Sequence, residues 1–326
     1  MNNPLVSAVI LTRNRGVSLR RCIKSLINNT YNNIEIVVYD NGSKLSQKEN
    51  VSFITNLKAK CDIKHIKSSP KGFAEMRHIA VSHSSGEIIM SIDDDCVAEK
   101  KAIENIVQKF RSDEKIGIIG GNITNIGFSG KERFKGRALI GVNGKYEVVE
   151  NPEEAEVFGS ANMSIKRQAF ADVCGYDLFF TGGFEEADLI LSIKRAGYKI
   201  VYDPSVKIKH YLDDNKRYRQ KKRNLTMLRL YLFFKHFMPR NLRGWRQFVK
   251  NEKALLKKEL SWYAPPSNAR QSKRKLGILT PKDEWFYDLS KVILIFNNVV
   301  YKRFTAITTR LLIPYLILRG HFYKQR

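Results

Sequence analysis

Cysteine is scarce in this chain of 326 residues. Cys22, Cys61, Cys96 and Cys174 are the whole supply, and no two of them form a CxxC pair. Four scattered thiols exclude a disulfide-stapled fold and leave a structural zinc site unsupported; reduced thiols in a cytosolic setting are the simplest reading. Long apolar runs are missing as well, since no stretch reaches the ~18 uninterrupted apolar residues of a membrane-spanning helix. The opening MNNPLVSAVILTRNRG lacks the basic start and small-residue cleavage site of a secretory signal. Acidic residues run short in one region only. Up to residue 206 the chain carries 28 Lys+Arg against 25 Asp+Glu, a net of +3; from 207 onward 29 face 7, a net of +22. The formal total of +25 therefore sits almost wholly in the second part. That asymmetry predicts a body that does chemistry and an appendix that meets something anionic. A hydrophobic content of 43% excludes a disordered chain, and the length suits one large domain or two medium ones.

In the first part, short apolar runs alternate with helix-type segments. Val6 to Leu11, Ile34 to Tyr39, Ile63 to Ile66, Glu87 to Ile92 and a run beginning at Ile116 read as strands. Helical spacing covers Val17 to Asn29, the polar stretch Gln47 to Lys60, Gly72 to His83 and Lys100 to Phe110. Strand, helix, strand at this spacing predicts an α/β fold with a mainly parallel sheet covered on both faces. Ligands of such sheets sit beyond the carboxyl ends of the strands. The strand ends here read Thr12-Arg-Asn-Arg15, Asp40-Asn-Gly-Ser43 and Asp93-Asp-Asp95. Residues 121–157 read as an excursion with strand pieces. Phe158 to Ile165 returns to strand character, a helix opens near Gly182 and runs to Arg195, and Lys199–Tyr202 and Val206–Lys209 are short strands, the second delivering His210. Beyond about residue 215 the pattern is helical, with aromatic-rich candidates at Leu225–Met238 and Leu289–Phe304 separated by a basic Pro/Ser/Asn stretch, Ala264 to Lys275.

Two acidic clusters stand out. Asp93-Asp94-Asp95 follows an apolar strand directly, and three adjacent carboxylates repel one another unless a cation neutralises them. One reading is a Mg2+ or Mn2+ bridge to a diphosphate; the other is a solvated turn capping the next helix. Glu185-Glu186-Ala-Asp188 stands at a helix start behind a Gly-Gly pair. It reads either as a general base for an acceptor hydroxyl or as acids drawn there by the helix dipole.

Taken in order, VSAVILTRNRGVSLRRCIKSL, IEIVVYDNGS, KGFAEMRHIAV, GEIIMSIDDDCV, FGSANMSIKR and GFEEADLILSIKRAGYKI with a downstream KIKHY resemble the family 2 glycosyltransferases, whose nucleotide-sugar-binding domain is called GT-A. The resemblance spans about residues 5–211, nearly all of the neutral part. It implies that Thr12 and Arg13 border the base and ribose, that Asp40 hydrogen-bonds one of them, and that Arg77 reaches the nucleotide. It places Asp93, Asp94 and Asp95 in the family's DxD-type motif, with Asp95 as direct metal ligand and His210 near the metal or diphosphate. It makes Glu186 the catalytic base, with Ser160, Asn162, Arg167, Glu185 and Asp188 on the donor or acceptor side. Three positions depart from the family pattern: Glu at the base position instead of the commoner Asp, His78 where Asn is frequent, and Ser192 where Arg is frequent. None removes a required chemical group. The implied activity is inverting transfer from a nucleotide-diphosphate sugar, a UDP-sugar by preference, to a glycan or polyprenyl-linked hydroxyl.

The basic part, residues 212–326, has its own pattern. Leu289, Val292, Ile293, Phe296, Val299, Val300 and Phe304 share one helical stripe, and Leu311–Leu318 is apolar but broken by Pro314. That is an interfacial amphipathic pattern, and each basic side chain adds about 1 kcal/mol of attraction to anionic lipid. The expectation is a peripheral protein on the inner face of the cell membrane, or a chain whose helices pair between copies. A nucleotidyltransferase would use the triplet for a metal-triphosphate, but no Gly-rich, Lys-bearing loop follows the first strand. A basic nucleic-acid binder would leave both acidic clusters unexplained, since carboxylates repel phosphate.

Overall fold

The chain is seen in a computed structural model that describes residues 3–43, 53–54, 56, 61–127, 137–141, 144–151, 154–211, 225–237, 239 and 241–263. Its first part is an α/β unit. β1 (Val6–Thr12), β2 (Ile34–Asp40), β3 (Asp62–Lys67) and β4 (Ile88–Asp93) alternate with α1 (Gly16–Ile27) and α2 (Phe73–Ser82). β5 (Cys96–Ala98), α3 (Ala102–Ser112) and β6 (Ile116–Ile126) follow. The excursion resolves into β7 (Arg137–Ile140), β8 (Tyr146–Val148) and β9 (Val157–Phe158), a separate three-stranded antiparallel sheet. The chain then re-enters the main sheet as β10 (Asn162–Lys166), continues through α4 (Arg167–Asp172) and α5 (Glu185–Arg195), and closes with β11 (Lys199–Tyr211).

Alternation along the strands builds two cores, one on each sheet face. Val6, Ala8 and Ile10 of β1 pack with Ile36 and Val38 of β2 and with Leu19, Ile23 and Leu26 of α1. Val9 and Val37, between them in sequence, face the other way, toward Ala74, Ala80 and Val81 of α2. A strand buried on both faces has no polar side, which is why these segments read as continuous apolar runs. In α1 the buried stripe is Leu19, Cys22, Ile23 and Leu26, while Val17 points away and is 69% exposed.

The main sheet has the order β3-β2-β1-β4-β10-β6-β11-β5. β1, β2, β3 and β4 are mutually parallel, and β6 runs parallel to β11. β10 is antiparallel to both of its neighbours, and β5 is antiparallel to β11. The expected mainly parallel α/β architecture is the one found. Strand order reverses at β1, and the crevice beyond the carboxyl ends of β1, β2 and β4 is the topological switch point where ligands bind. The two short strands expected near residues 199–209 are one strand, β11, with a register break between Asp203 and Lys207. Pro204 lies in that break and has no N–H to give the ladder. The helix expected over Gln47–Lys60, and the stripes at 289–304 and 311–318, fall largely or wholly outside the described residues.

Two helices follow the sheet, α6 (Leu225–Phe237) and α7 (Leu242–Tyr263). The chain divides into two compact units, one ending at Leu232 and one beginning at Phe233. In the first, Leu228, Tyr231 and Leu232 are buried, with the Tyr231 ring 4.2 Å from Phe179 and its hydroxyl donating to Asp177 at 2.9 Å. In the second, Phe233 and Phe234 pack on Phe248 with ring centroids 4.9 and 5.0 Å apart, and Phe234 stacks on Trp245 at 5.7 Å. None of the described helices is long and apolar enough to cross a membrane.

Candidate active site

The ends of β1, β2 and β4 bring together polar residues that are far apart in sequence. Thr12 closes β1, and its Oγ1 donates to Asp94 Oδ2 at 2.7 Å. The loop that follows carries Arg13, half-buried, and Arg15, whose Nη1 lies 3.0 Å from Asp94 Oδ1 and 2.7 Å from Asp95 Oδ2. Asp40 closes β2. Its Oδ1 accepts the Ser43 backbone N–H at 2.8 Å, and Oδ2 stands 3.9 Å from His65 Nε2. Burial pushes the Asp40 pKa up, but His65 and Ser43 outweigh it and hold the carboxyl below its ordinary value.

In the triplet the three carboxyls fare differently. Burial pushes Asp94 up to about 7 despite Arg15 and Thr12, and burial raises Asp93 as well. Asp95 is buried too, yet His210 and Arg15 bring it below its ordinary value. β11 supplies His210, whose partner across the antiparallel ladder is Cys96, and the Tyr211 N–H donates to the Asp95 carbonyl at 2.9 Å. His210 Nε2 therefore stands 3.0 Å from Asp95 Oδ1.

Glu185 and Glu186 open α5 because the backbone before them turns sharply. Gly183 has φ 139° and Phe184 φ 68°, so the helix begins at Glu185 and not at the glycines. A left-handed phenylalanine costs on the order of 1–3 kcal/mol. Its ring packs edge-on against Tyr146 of β8, with centroids 5.0 Å apart. Glu185 is fully buried, and burial together with the charge of Glu186 pushes its pKa up to about 8. Asp188, in the first turn of α5, is buried as well. Glu185 Oε2, Glu186 Oε2 and the Tyr146 hydroxyl are sealed from solvent without a hydrogen-bond partner. Burial, with the fields of Glu186, Glu185 and Asp188, drives the Tyr146 pKa well up and keeps its proton on.

One buried guanidinium joins the two acidic clusters. Arg77 of α2 donates through Nη1 to Ser91 Oγ at 3.0 Å and through Nη2 to Ser160 Oγ at 2.7 Å. Nη2 lies 3.9 Å from Asp93 Oδ1, and Nε lies 3.6 Å from Glu185 Oε1. Sequence spacing puts Phe73, Met76, Ile79 and Ala80 on the inner face of α2, but the buried set is Ala74, Met76, Arg77, Ala80 and Val81.

The donors around Asp95 decide whether a divalent ion fits. Ligand atoms of Asp95, Cys96 and His210 all lie within 4.8 Å of one another. Burial, with Asp93 and Asp95 nearby, drives the Cys96 pKa well up, so its thiol stays protonated and is a poor ligand for a hard ion. Asp95 Oδ1 is sealed and takes no aligned hydrogen bond, though His210 Nε2 is close. A carboxylate oxygen left open beside an imidazole nitrogen fits a divalent ion of the Mn2+ type.

Of the residues singled out from sequence, Thr12, Asp40, Arg77, Asp93, Asp94, Asp95, Ser160, Glu185 and His210 form this connected set, with Glu186 and Asp188 on the adjoining helix start and Arg13 on the β1 loop. Asn162 adjoins it, but its amide donates to the carbonyls of Asn122 and Val206 at 3.1 and 3.0 Å and serves the sheet. Arg167 is not brought to the cluster. β10 runs antiparallel to β4, so Lys166 pairs with Ile88 at the amino end of β4, and Arg167 emerges there. It donates to the Gly86 carbonyl and, at 2.7 Å, to Ser84 Oγ. Arg15 and Tyr146 are the residues that sequence reasoning missed. Arg15 had a signal in its place just past a strand end. Tyr146 had none, since β8 is too short to show a period.

The glycosyl transferase family 2 model matches residues 7–174, just over half of the chain. A glucosyl-dolichyl phosphate glucuronosyltransferase of Haloferax volcanii is 24% identical over 221 residues, covering 64% of this chain and 69% of that protein. Among solved structures, GalNAc-T7 with UDP, GalNAc and Mn2+ aligns at 21% identity and a TM-score of 0.56, over 65% of this chain and 44% of its own. The mannosyltransferase PcManGT of Pyrobaculum calidifontis, in complex with GDP-Man and Mn2+, aligns at 14% identity and a TM-score of 0.52, over 91% of this chain and 88% of its own. These structural likenesses establish a shared GT-A-like fold. The family match runs from β1 past α4 and contains the switch-point crevice with its acidic triplet, so the chain belongs to glycosyl transferase family 2 and is a glycosyltransferase.

Proposed function

We propose that the protein transfers a sugar from a nucleotide-diphosphate sugar, a UDP-sugar by preference, to a hydroxyl of a glycan or polyprenyl-linked acceptor, with inversion at the anomeric carbon. The observation that carries this reading is the Arg77 bridge. It ties the end of the triplet at Asp93 to the acidic pair at Glu185, so the diphosphate end and the base end of one reaction adjoin.

Thr12 and Asp40 are the contacts for the nucleoside, at the carboxyl ends of β1 and β2. Asp95 and His210 would hold a divalent ion, Mn2+ or Mg2+, which when bound supplies positive charge to offset the leaving diphosphate. Glu186 takes the proton from the acceptor hydroxyl as its oxygen attacks the anomeric carbon from the face opposite the diphosphate. The unpartnered Glu186 Oε2 and Tyr146 hydroxyl support this reading, since an acceptor hydroxyl donates to the first and accepts from the second.

The charge distribution supports work at an anionic membrane. From residue 207 onward the net is +22. On α7 the outward side chains Arg243, Arg246 and Lys250 form a cationic stripe beside Leu242, which is 66% exposed. The name of the Haloferax relative, a glucosyl-dolichyl phosphate glucuronosyltransferase, supports a lipid-linked acceptor, and the proposal extends to surface-polysaccharide synthesis at the inner membrane face.

A thermal-shift panel of UDP-, GDP- and other nucleotide sugars, each with and without Mn2+, tests the proposal. The expected result is a Mn2+-dependent rise in melting temperature with one nucleotide class. Silence across the panel would overturn it.

A further inference from the structure

The triplet already has a cation on it, and that cation belongs to the protein. Arg15 Nη1 spans Asp94 Oδ1 and Asp95 Oδ2 at 3.0 and 2.7 Å. Thr12 takes Asp94 Oδ2. Both oxygens of Asp94 and one of Asp95 are thereby occupied by Thr12 and Arg15, and Asp95 Oδ1 faces His210 Nε2 at 3.0 Å without an aligned hydrogen bond.

The loop that delivers Arg15 is shaped from the nucleoside side. Asn14 sits in the left-handed region at φ 57°, which asparagine tolerates better than most residues. Its N–H donates to Ser43 Oγ at 2.8 Å, and the Ser43 N–H donates to Asp40 Oδ1 at 2.8 Å. Two hydrogen bonds therefore tie Asp40 through Ser43 to the Asn14 backbone, one residue before the arginine whose guanidinium sits on the triplet. Two negative charges arrive with a diphosphate, and an arginine fork matches phosphate oxygens as well as it matches carboxylates.

Building on the nucleotide-sugar reading, we propose that Arg15 is an exchangeable counter-ion. It competes with a divalent metal for Asp94 and Asp95 in the nucleotide-free protein, and it transfers to the diphosphate when metal and nucleotide enter together. Metal binding is then conditional on nucleotide, because a bare ion must displace a guanidinium held by both carboxylates.

Titrating the full-length chain with Mn2+ alone, Mn2+ with UDP and Mn2+ with GDP, while following the free-ion signal by electron paramagnetic resonance, tests this without turnover. Wild type should hold Mn2+ weakly alone and gain at least about tenfold from one nucleotide. Arg15→Gln should bind Mn2+ alone about tenfold more tightly than wild type, because the competing charge is gone. The same variant should lose most of the nucleotide-dependent gain. Arg15→Lys keeps the charge without the fork, so it should hold Mn2+ alone as weakly as wild type while gaining less from nucleotide, and a melting curve for each variant confirms the fold. Unchanged or weaker Mn2+ binding by Arg15→Gln overturns the exchange. Asp95→Ala separates the two levels: if it binds Mn2+ as wild type does, with and without nucleotide, the metal-site reading itself fails, and the exchange with it.

Discussion

At the end of β4, Asp94 and Asp95 are met by Arg15, Thr12 and His210 at hydrogen-bonding or near hydrogen-bonding distances. At the start of α5, Glu185 is buried 3.6 Å from the offset guanidinium of Arg77 and beside the like charge of Glu186. The same functional group is thus placed in two environments with opposite consequences. Asp95, with His210 and Arg15 beside it, is held below its ordinary value despite burial, while Asp94 rises to about 7 even with Arg15 on it. A carboxylate buried beside another acid keeps a proton. In the proposed reaction the first cluster holds positive charge and the second moves the proton.

The largest expected effect comes from removing one member of each cluster. Asp95→Ala should abolish both turnover and the Mn2+-dependent thermal shift with nucleotide. Glu186→Gln should keep the shift and lower turnover by about 10²- to 10⁴-fold, the range of general-base contributions. Parallel melting curves and product assays on both variants check the split. Loss of nucleotide binding in Glu186→Gln would mean the clusters are not functionally separate.

Next in size is the link between them. Arg77 is buried with two carboxylates and two serine hydroxyls around it. Replacing it by methionine leaves the buried Ser91 and Ser160 hydroxyls without their charged donor, and stranding a buried polar group costs about 1–3 kcal/mol each. Urea unfolding of Arg77→Met should show that loss. A loss within about 1 kcal/mol, the worth of an exposed pair, would show that the bridge carries no such coupling.

Much of this was legible in the sequence, and the limits have physical causes. β1, β2 and β4 announce themselves because burial on both faces leaves no polar alternation to confuse the pattern. The triplet and the pair were visible because acids in runs are expensive and so stand out. Arg77 was visible as a position and not as a bridge, since helical spacing sorts apolar from polar and α2 turns a cation inward. Arg167 was misplaced because the antiparallel return of β10 depends on a small sheet whose strands are too short for a period. The start of α5 was placed three residues early, because Gly182 looked like the opening while the left-handed Phe184 sets it.

The smallest expected effect concerns the proton on the acidic pair. The Glu185 pKa in the folded chain is raised from 4.5 to about 8, so the folded state binds a proton that the unfolded state releases. Stability from that proton is complete below the unfolded value and drains away as pH rises through the folded one, at no more than about 1.4 kcal/mol per pH unit. Asp94, raised to about 7, contributes in the same direction, so the wild-type slope alone does not identify the group. Glu185→Gln removes one titration and leaves Asp94 in place. Chemical unfolding of both proteins from pH 5 to pH 9 should show wild type losing stability relative to the variant across that window. Equal slopes would show that the proton held by the buried pair does not sit on Glu185.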